Sequence, residues 1–305
     1  GNPNNLTAVS ESCHDRYSFI KGDICNRELV EHIFSEYDPD YVINFAAETH
    51  VDRSIHDPAV FIKTNVLGTA TLLDISKKYW GNGGAAKRFL QVSTDEVYGS
   101  LPENNYSEKF TENTPLKPHS PYSASKTAAD CLVQSYCDTY GFPAVITRCS
   151  NNYGPYQFPE KLIPLMIYNA MSNKKLPIYG DGKNIRDWLY VDDHCEAIWH
   201  VLMKGKIGEV YNIGGNNEIQ NIDIVKLILK NLNKPKSLIS YIKDRPGHDR
   251  RYAIDATKIK MELGWEPSCK FEQKISDTIN WYLNNTEWVE NIVSGDYMNW
   301  IRKNY

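Results

Sequence analysis

Short apolar runs alternate with amphipathic stretches through the first half of the chain, and the two periods predict different elements. Runs at residues 17–20, 41–46, 88–92 and 144–148 read as buried strands. Between them, helical spacing of apolar positions predicts helices over 26–36, 57–79 and 121–140. The last of these stops at Gly141-Phe142-Pro143, a glycine followed by a proline, which is how helices commonly end. Strand and helix in regular alternation imply crossover connections, so the expectation is an α/β fold with a doubly wound parallel sheet covered on both faces.

The texture changes near residue 150. Residues 151–156 read as a loop, 162–171 as a helix, and 176–179 as a short strand ending at Gly180-Asp181-Gly182. A strand at 209–213 and helices at 222–232 and 271–283 follow. This divides the chain into a sheet domain over 1–150 and a smaller α/β substrate-binding lobe over 151–305, with segments around 187–215 returning to the sheet. There is no internal repeat and no low-complexity tract.

At 305 residues, with 41% hydrophobic and 24% charged positions, the chain can bury a substantial core. A net charge of −4 with no long Lys/Arg run argues against nonspecific nucleic-acid binding. A few local arginines could still meet a small anionic substrate. Seven cysteines (Cys13, Cys25, Cys131, Cys137, Cys149, Cys195, Cys269) show neither a C-x-x-C pair nor metal-ligand spacing. They read as reduced thiols in a cytoplasmic protein with no metal site. No run of about 18 apolar residues and no signal-like segment stands in the sequence, so no membrane association is expected.

Tyr122-Ser123-Ala124-Ser125-Lys126 places a tyrosine and a lysine four residues apart. On a helix they share a face, so the ammonium can favour the phenolate, which can take a proton from a hydroxyl while hydride leaves the same carbon. The spacing alone is weak. It recurs at Tyr17/Lys21 and Tyr179/Lys183, and an exposed helix pair would look the same. Only Tyr122 follows a proline at a helix start, with Ala128, Ala129, Leu132 and Val133 marking an apolar face.

Gln91-Val92-Ser93-Thr94-Asp95-Glu96-Val97-Tyr98-Gly99 is the second signal. An apolar strand runs into a hydroxyl and two carboxyls at its carboxyl end, where open α/β sheets place their ligands. Adjacent carboxyls in different environments can act as acid and base in an elimination; taken alone, they could also simply end a strand.

These motifs stand in order with Phe45-Ala46-Ala47-Glu48-Thr49-His50-Val51-Asp52-Arg53-Ser54, Arg148-Cys149-Ser150-Asn151-Asn152-Tyr153-Gly154-Pro155-Tyr156, Pro159-Glu160-Lys161-Leu162-Ile163-Pro164, Arg186-Asp187-Trp188-Leu189-Tyr190-Val191-Asp192-Asp193-His194 and Asp244-Arg245-Pro246-Gly247-His248-Asp249-Arg250-Arg251-Tyr252. Together the chain resembles the dTDP-glucose 4,6-dehydratases of the extended short-chain dehydrogenase/reductase superfamily, essentially from end to end. The resemblance implies a Rossmann-type sheet and NAD as cofactor. It departs at the front: the family's Gly-rich strand, turn and helix are absent before Gly1, and neither Gly81-Asn82-Gly83-Gly84 nor Ile213-Gly214-Gly215 replaces them. Either this is a fragment or the numbering starts at the first residue observed; a chain that truly started at Gly1 would be expected to bind NAD poorly and to expose an unprotected strand edge.

By resemblance, Asp23 and Ile24 at a strand end contact adenine, Phe45, Ala46, Ala47, Glu48 and Thr64 line the cofactor, and Asn152 meets the nicotinamide side. Tyr122 and Lys126 match the superfamily's base and ribose-binding lysine. Thr49, Thr94, Asn151, Lys161, Leu162, Pro177, Ile178, Tyr179, Arg186, Asn221, Asp244, Arg245, Pro246, Gly247 and His248 match substrate positions. An arginine can clamp a diphosphate bidentately; for Arg186 a salt bridge with Asp187 or Asp181 is the competing reading.

The mechanism implied is a closed redox cycle in which Tyr122 deprotonates the 4-hydroxyl with Thr94 polarising the oxygen, Glu96 removes the C5 proton and Asp95 protonates the departing 6-hydroxyl. Cys149 reads as a buried thiol. A nucleotide-sugar 4-epimerase or decarboxylase would share the Tyr/Lys pair without needing Asp95 and Glu96, and a noncatalytic, NAD-free binding protein is the third reading. The superfamily's helix-bundle pairing suggests a homodimer.

Overall fold

The computed structural model describes residues 3–81, 87–268 and 270–293. Cys269 and the glycines at 83 and 84 lie outside them.

A short helix α1 (Thr7–Ser12) leads into α2 (Arg27–Tyr37), whose N-cap Asn26 accepts from the Leu29 amide. The central sheet holds β1 (Tyr41–Asn44), β2 (Arg88–Thr94), β3 (Ala144–Cys149) and, arriving late in the chain, a strand at Val210–Ile213. All three pairings in it are parallel. Successive residues point to opposite faces. Phe89, Ala144 and Ile146 enter a core with Val30, Phe34, Leu73 and Val133, whereas Leu90 and Val145 enter a second core with Ala197, Val201, Ile213 and Ile259. Each fully buried Leu, Phe or Val there contributes about 1.5–3 kcal/mol.

Between β1 and β2 run α3 (Val51–His56), α4 (Pro58–Phe61), a π-helical segment (Ile62–Gly68) and α5 (Thr69–Trp80), where the sequence predicted one helix over 57–79. The wide turn is held by Asn65, which is buried. It accepts from the Glu48 amide at 2.8 Å and donates to the Glu48 carbonyl at 3.0 Å and the Ser125 hydroxyl at 2.8 Å. Then come α6 (Pro121–Tyr140) and, past β3, β4 (Asn151–Tyr153), inside what the sequence predicted as a loop. Next are α7 (Leu162–Met171), β5 (Leu176–Tyr179), β6 (Ile185–Tyr190) and α8 (Val191–Lys204). The late sheet strand is β7; after it come β8 (Glu218–Gln220), α9 (Asn221–Asn231), β9 (Ile239–Ile242), α10 (Thr257–Leu263), α11 (Phe271–Asn284) and α12 (Thr286–Val293). Strands β4, β6 and β8 form one small sheet and β5 with β9 another. Helices α7, α9, α11 and α12 share a separate core with Trp188 and Tyr190.

Residues 17–20 do not form the predicted strand. Tyr17 has extended backbone angles, but no strand among the described residues pairs with the segment, and Phe19 and Ile20 stand exposed. A strand exists only through its hydrogen-bonded neighbour. Among the described residues β1 likewise pairs on one side only. For the same reason Asp23 and Ile24 lie in a turn, not at a strand end.

Candidate active site

The start of α6 is fixed locally. Ser120 caps the helix, accepting from the Ser123 amide at 3.1 Å while the Ser123 hydroxyl accepts from the Ser120 amide at 3.0 Å; Pro121 sits at the first helical position and Gly141 closes the far end in left-handed geometry. This turns Tyr122, Ser125, Lys126, Ala129 and Asp130 inward. The expected Lys126–Tyr122 contact is not made. Lys126 Nζ donates instead to the Val92 carbonyl at 2.7 Å. Burial pushes the Tyr122 phenol well up and the Glu96 charge adds to it, while the Thr94 hydroxyl works the other way. Burial lowers the Lys126 ammonium, with Asp130 opposing.

Beyond β2 the chain makes one helical turn over Asp95–Tyr98, capped by Thr94, whose hydroxyl accepts from the Glu96 amide at 3.3 Å and donates to Asp95 Oδ1 at 3.3 Å. Gly99 ends the turn at φ 87°, where a Cβ would lie 2.5 Å from the Lys117 carbonyl oxygen. Only glycine fits there. The two carboxyls differ in their surroundings, although burial and Arg186 act on both. Asp95 is 2% exposed, and burial followed by the Glu96 charge raises its pKa well above the ordinary range. Burial also raises Glu96, but Arg186, Lys161 and Arg245 pull it back towards the carboxylate. Asp95 is therefore suited to carry a proton and Glu96 to accept one.

Glu96 forms part of the wall of a cavity of about 180 Å³ between the sheet and the C-terminal elements. Of the expected substrate positions, Thr49, Asn151, Lys161, Leu162, Pro177, Ile178, Tyr179, Arg186, Asn221, Arg245, Gly247 and His248 line it. Thr94, Asp244 and Pro246 do not. Thr94 lies behind Glu96 with Asp95 and Tyr122; Asp244 holds His248 through its ring nitrogen at 2.6 Å. Arg186 makes neither ion pair weighed from the sequence. Its guanidinium donates to the carbonyls of Ile185 at 2.8 Å and Asp249 at 2.9 Å and lies 4.2 Å from the Tyr252 ring. Asp181 pairs with Arg250 instead, and Asp187 accepts from the amides of Gly215 and Asn217. Buried Asn151 Oδ1 and Asn221 Oδ1 have no hydrogen-bond partner, as expected of handles awaiting a polar ligand.

Sequence reading passed over several wall residues, among them His50, Asp52, Glu160, Asp249 and Tyr252. All lie inside motifs already recognised; the signal was present, but nothing in the order of residues says which side chains turn inward. Burial, with Lys161 next, holds the His50 imidazole down to about 3, so it is neutral.

The cofactor positions gather outside the carboxyl end of β1. Phe45 is 58% exposed there, beside the small Ala46 and Ala47, and Glu48 is tied to Asn65. Thr64 is half-buried on the π-helical segment, and exposed Asp23 lies 3.7 Å from Lys63. On the inner side, Asn152 Oδ1 is buried without a partner. An open apolar platform ending in an unpaired amide oxygen fits a dinucleotide with a carboxamide at its inner end. Burial, with Asp95 next, pushes the Cys149 thiol up to about 12, which leaves it inert.

A family model described as GDP-mannose 4,6 dehydratase matches residues 1–278. The dTDP-glucose 4,6-dehydratase of Xanthomonas campestris pv. campestris is 54% identical over 310 residues, spanning 97% of this chain and 87% of that protein. Among solved structures, the dTDP-glucose 4,6-dehydratase of Bacillus anthracis in complex with NAD is 52% identical with a TM-score of 0.85, and that of Streptomyces venezuelae, also with NAD, is 43% identical with a TM-score of 0.90. Each alignment covers 96% of this chain and 87% of the other.

Proposed function

The chain belongs to the dTDP-glucose 4,6-dehydratase family, and we propose from that premise how its side chains divide the reaction. The enzyme is a hydro-lyase that converts dTDP-glucose to the 4-keto-6-deoxy sugar, with NAD as cofactor. When bound, NAD supplies a hydride acceptor at C4 and a hydride donor at C6. Phe45, Ala46, Ala47, Glu48, Thr64, Asp23, Ile24, Lys126 and Asn152 hold it, and the cavity holds the sugar nucleotide, with Arg186, Lys161 and Arg245 as the cations for its diphosphate. Residues 1–150 thus serve the cofactor and 151–305 mainly the sugar.

Tyr122, helped by Thr94, takes the proton of the 4-hydroxyl. The 4-ketone acidifies the hydrogen at C5, Glu96 removes it, and Asp95 gives its proton to the departing 6-hydroxyl. The observation that carries this assignment is the unequal setting of two adjacent carboxyls: burial and the Glu96 charge raise Asp95, while Arg186, Lys161 and Arg245 oppose the rise at Glu96, Arg186 acting on both. A 4-epimerase or decarboxylase has no use for that pair. The dimer is also proposed, joined through the bundle containing α6, with exposed Ile62 and Leu67 on the adjoining π-helical segment in support. No helix among the described residues is long and apolar enough to cross a membrane. Six described cysteines are free thiols, which supports a reducing, cytoplasmic location.

Glu96→Gln tests the division, because an amide cannot accept the C5 proton. In a single turnover, reduced nicotinamide should form and persist with little deuterium entering C5 from heavy water, whereas Tyr122→Phe should suppress it from the start. Near wild-type dehydration by Glu96→Gln, or failure of both variants at the same step, would show the roles to be wrong.

A further inference from the structure

Tyr122, Lys126 and Asp130 follow one another at four-residue intervals along the buried face of α6, so their side chains stack turn upon turn. Asp130 does not reach the cavity and is 1% exposed. Its Oδ2 accepts from Arg148 Nε at 2.9 Å. Arg148 continues to the Tyr98 hydroxyl at 3.0 Å, and that hydroxyl donates to Asn212 Oδ1 at 2.7 Å. The β2–β3 register sets Arg148 opposite Ser93, one residue beyond Val92, whose carbonyl receives Lys126 Nζ. An ion pair that merely tied α6 to β3 would need one cation. Here Arg148 bonds the carboxyl directly, while Lys126, bonded to the Val92 carbonyl and not ion-paired with Asp130, acts on it across one helical turn; burial raises the Asp130 pKa and both cations oppose the rise, Arg148 first.

The groups packed round Lys126 decide what Asp130 does for it. Its own helix offers Tyr122 and Asp130, β3 offers Arg148 and Cys149, and the turn after β2 offers Asp95 and Glu96. The π-helical segment presents neutral Asn65 to Ser125, α4 presents Phe61 to Tyr122, and Asp74 of α5 bonds Tyr136 near the far end of α6. Cys149 brings no charge, since burial pushes its thiol up to about 12, and burial raises the Tyr122 phenol as well. Asp95 and Glu96 act on Tyr122, while Asp130 is the chief charge offsetting burial at Lys126. A fully buried amine with only a carbonyl to bond would discharge readily.

We infer that Asp130 is a positioning residue for the reaction: it is the buried counter-charge that keeps the Lys126 side chain an ammonium, and Arg148 holds it there from β3. The inference rests on the dehydratase reading for what Lys126 does, but not for the charge it bears. Burial lowers the pKa of Lys126 and Asp130 raises it, so removing the carboxylate moves the loss of charge to lower pH.

The test follows Lys126 by nitrogen NMR in the lysine-labelled full chain, assigned with Lys126→Arg, beside the pH profile of kcat. In Asp130→Asn the Lys126 midpoint should fall by about one pH unit or more. The alkaline limb of kcat should fall with it while KM for dTDP-glucose stays within about twofold, and Asp130→Glu should restore both. Arg148→Gln keeps a donor for Asp130 but removes the competing cation, so its midpoint should rise; this variant decides the matter if Asp130→Asn does not fold. An unmoved midpoint, or an alkaline limb that ignores a moved one, overturns the inference and leaves Asp130 and Arg148 a structural ion pair. A wild type that makes no keto sugar would sink the dehydratase reading, and the midpoints would still decide this one.

Discussion

Replacing Arg186 by methionine separates a binding residue from a structural pin, because the two roles predict opposite balances of stability and affinity. The guanidinium is 7% exposed and donates to the carbonyls of Ile185, Asp249 and, at 3.4 Å, Arg250. At about 1 kcal/mol each, losing these bonds costs about 3 kcal/mol. Keeping a guanidinium out of water costs several kcal/mol in the other direction, and methionine retains an apolar stem against Tyr252. The free variant should therefore lie within about 2 kcal/mol of wild type, a Tm change of a few degrees for a chain of this size. Affinity should change far more. A desolvated, charge-assisted contact to a diphosphate is worth about 2–4 kcal/mol, so KM for dTDP-glucose should rise about 30-fold to 1,000-fold. Thermal unfolding and steady-state kinetics on the same preparations read both quantities. A Tm lower by ten degrees or more with KM unchanged would refute the reasoning and make Arg186 part of the scaffold.

Asp95→Asn should let reduced nicotinamide accumulate, as Glu96→Gln does, yet still admit solvent deuterium at C5, because the base is intact while the acid is gone; mass spectrometry of the quenched sugar separates the two variants. Burial and Glu96 raise the Asp95 pKa, so the stability its protonated form contributes is lost as pH rises through that raised value. The asparagine variant should therefore lose less stability than wild type as pH rises from the ordinary carboxyl range through the raised Asp95 value in urea melts. Gly99→Ala places a methyl 2.5 Å from the Lys117 carbonyl at φ 87° and should cost about 1–3 kcal/mol, read from the urea midpoint. A cost below about 0.5 kcal/mol would mean the turn shifts freely.

What could be read from the sequence follows the range of the interaction that decides each element. Helix α6 was legible to its ends because Ser120, Pro121 and Gly141 fix it locally. The apolar pattern over 57–79 is continuous at helical spacing and gives no sign of the π-helical turn, which depends on Asn65 reaching Glu48 and Ser125. Residues 17–20 carry a strand's composition but lack the neighbour that would make them one. In the site, Tyr122, Lys126, Asp95 and Glu96 could be found by spacing and by position after a strand. The direction of Lys126 could not, because the Val92 carbonyl that accepts its hydrogen bond lies 34 residues away. The sequence marked Arg186 as a candidate for binding but not its partners, of which the Asp249 and Arg250 carbonyls lie 63 and 64 residues further on.

The unlike behaviour of Asp95 and Glu96 shows why the sheet alone is not a dehydratase. Both carboxyls come from the turn after β2, and burial raises the pKa of both. What lowers Glu96 again is Arg186 on β6, Lys161 before α7 and Arg245 after β9, all from the half of the chain beyond β3. Those same cations line the cavity proposed for the sugar nucleotide. The cations that favour the carboxylate of Glu96 therefore come from the second half of the chain, while burial and the Glu96 charge favour the neutral form of Asp95. The proposed acid and base, neighbours in sequence, thus differ in degree: Arg186 acts on both, while Lys161 and Arg245 are added at Glu96, and these three are the cations proposed for the diphosphate.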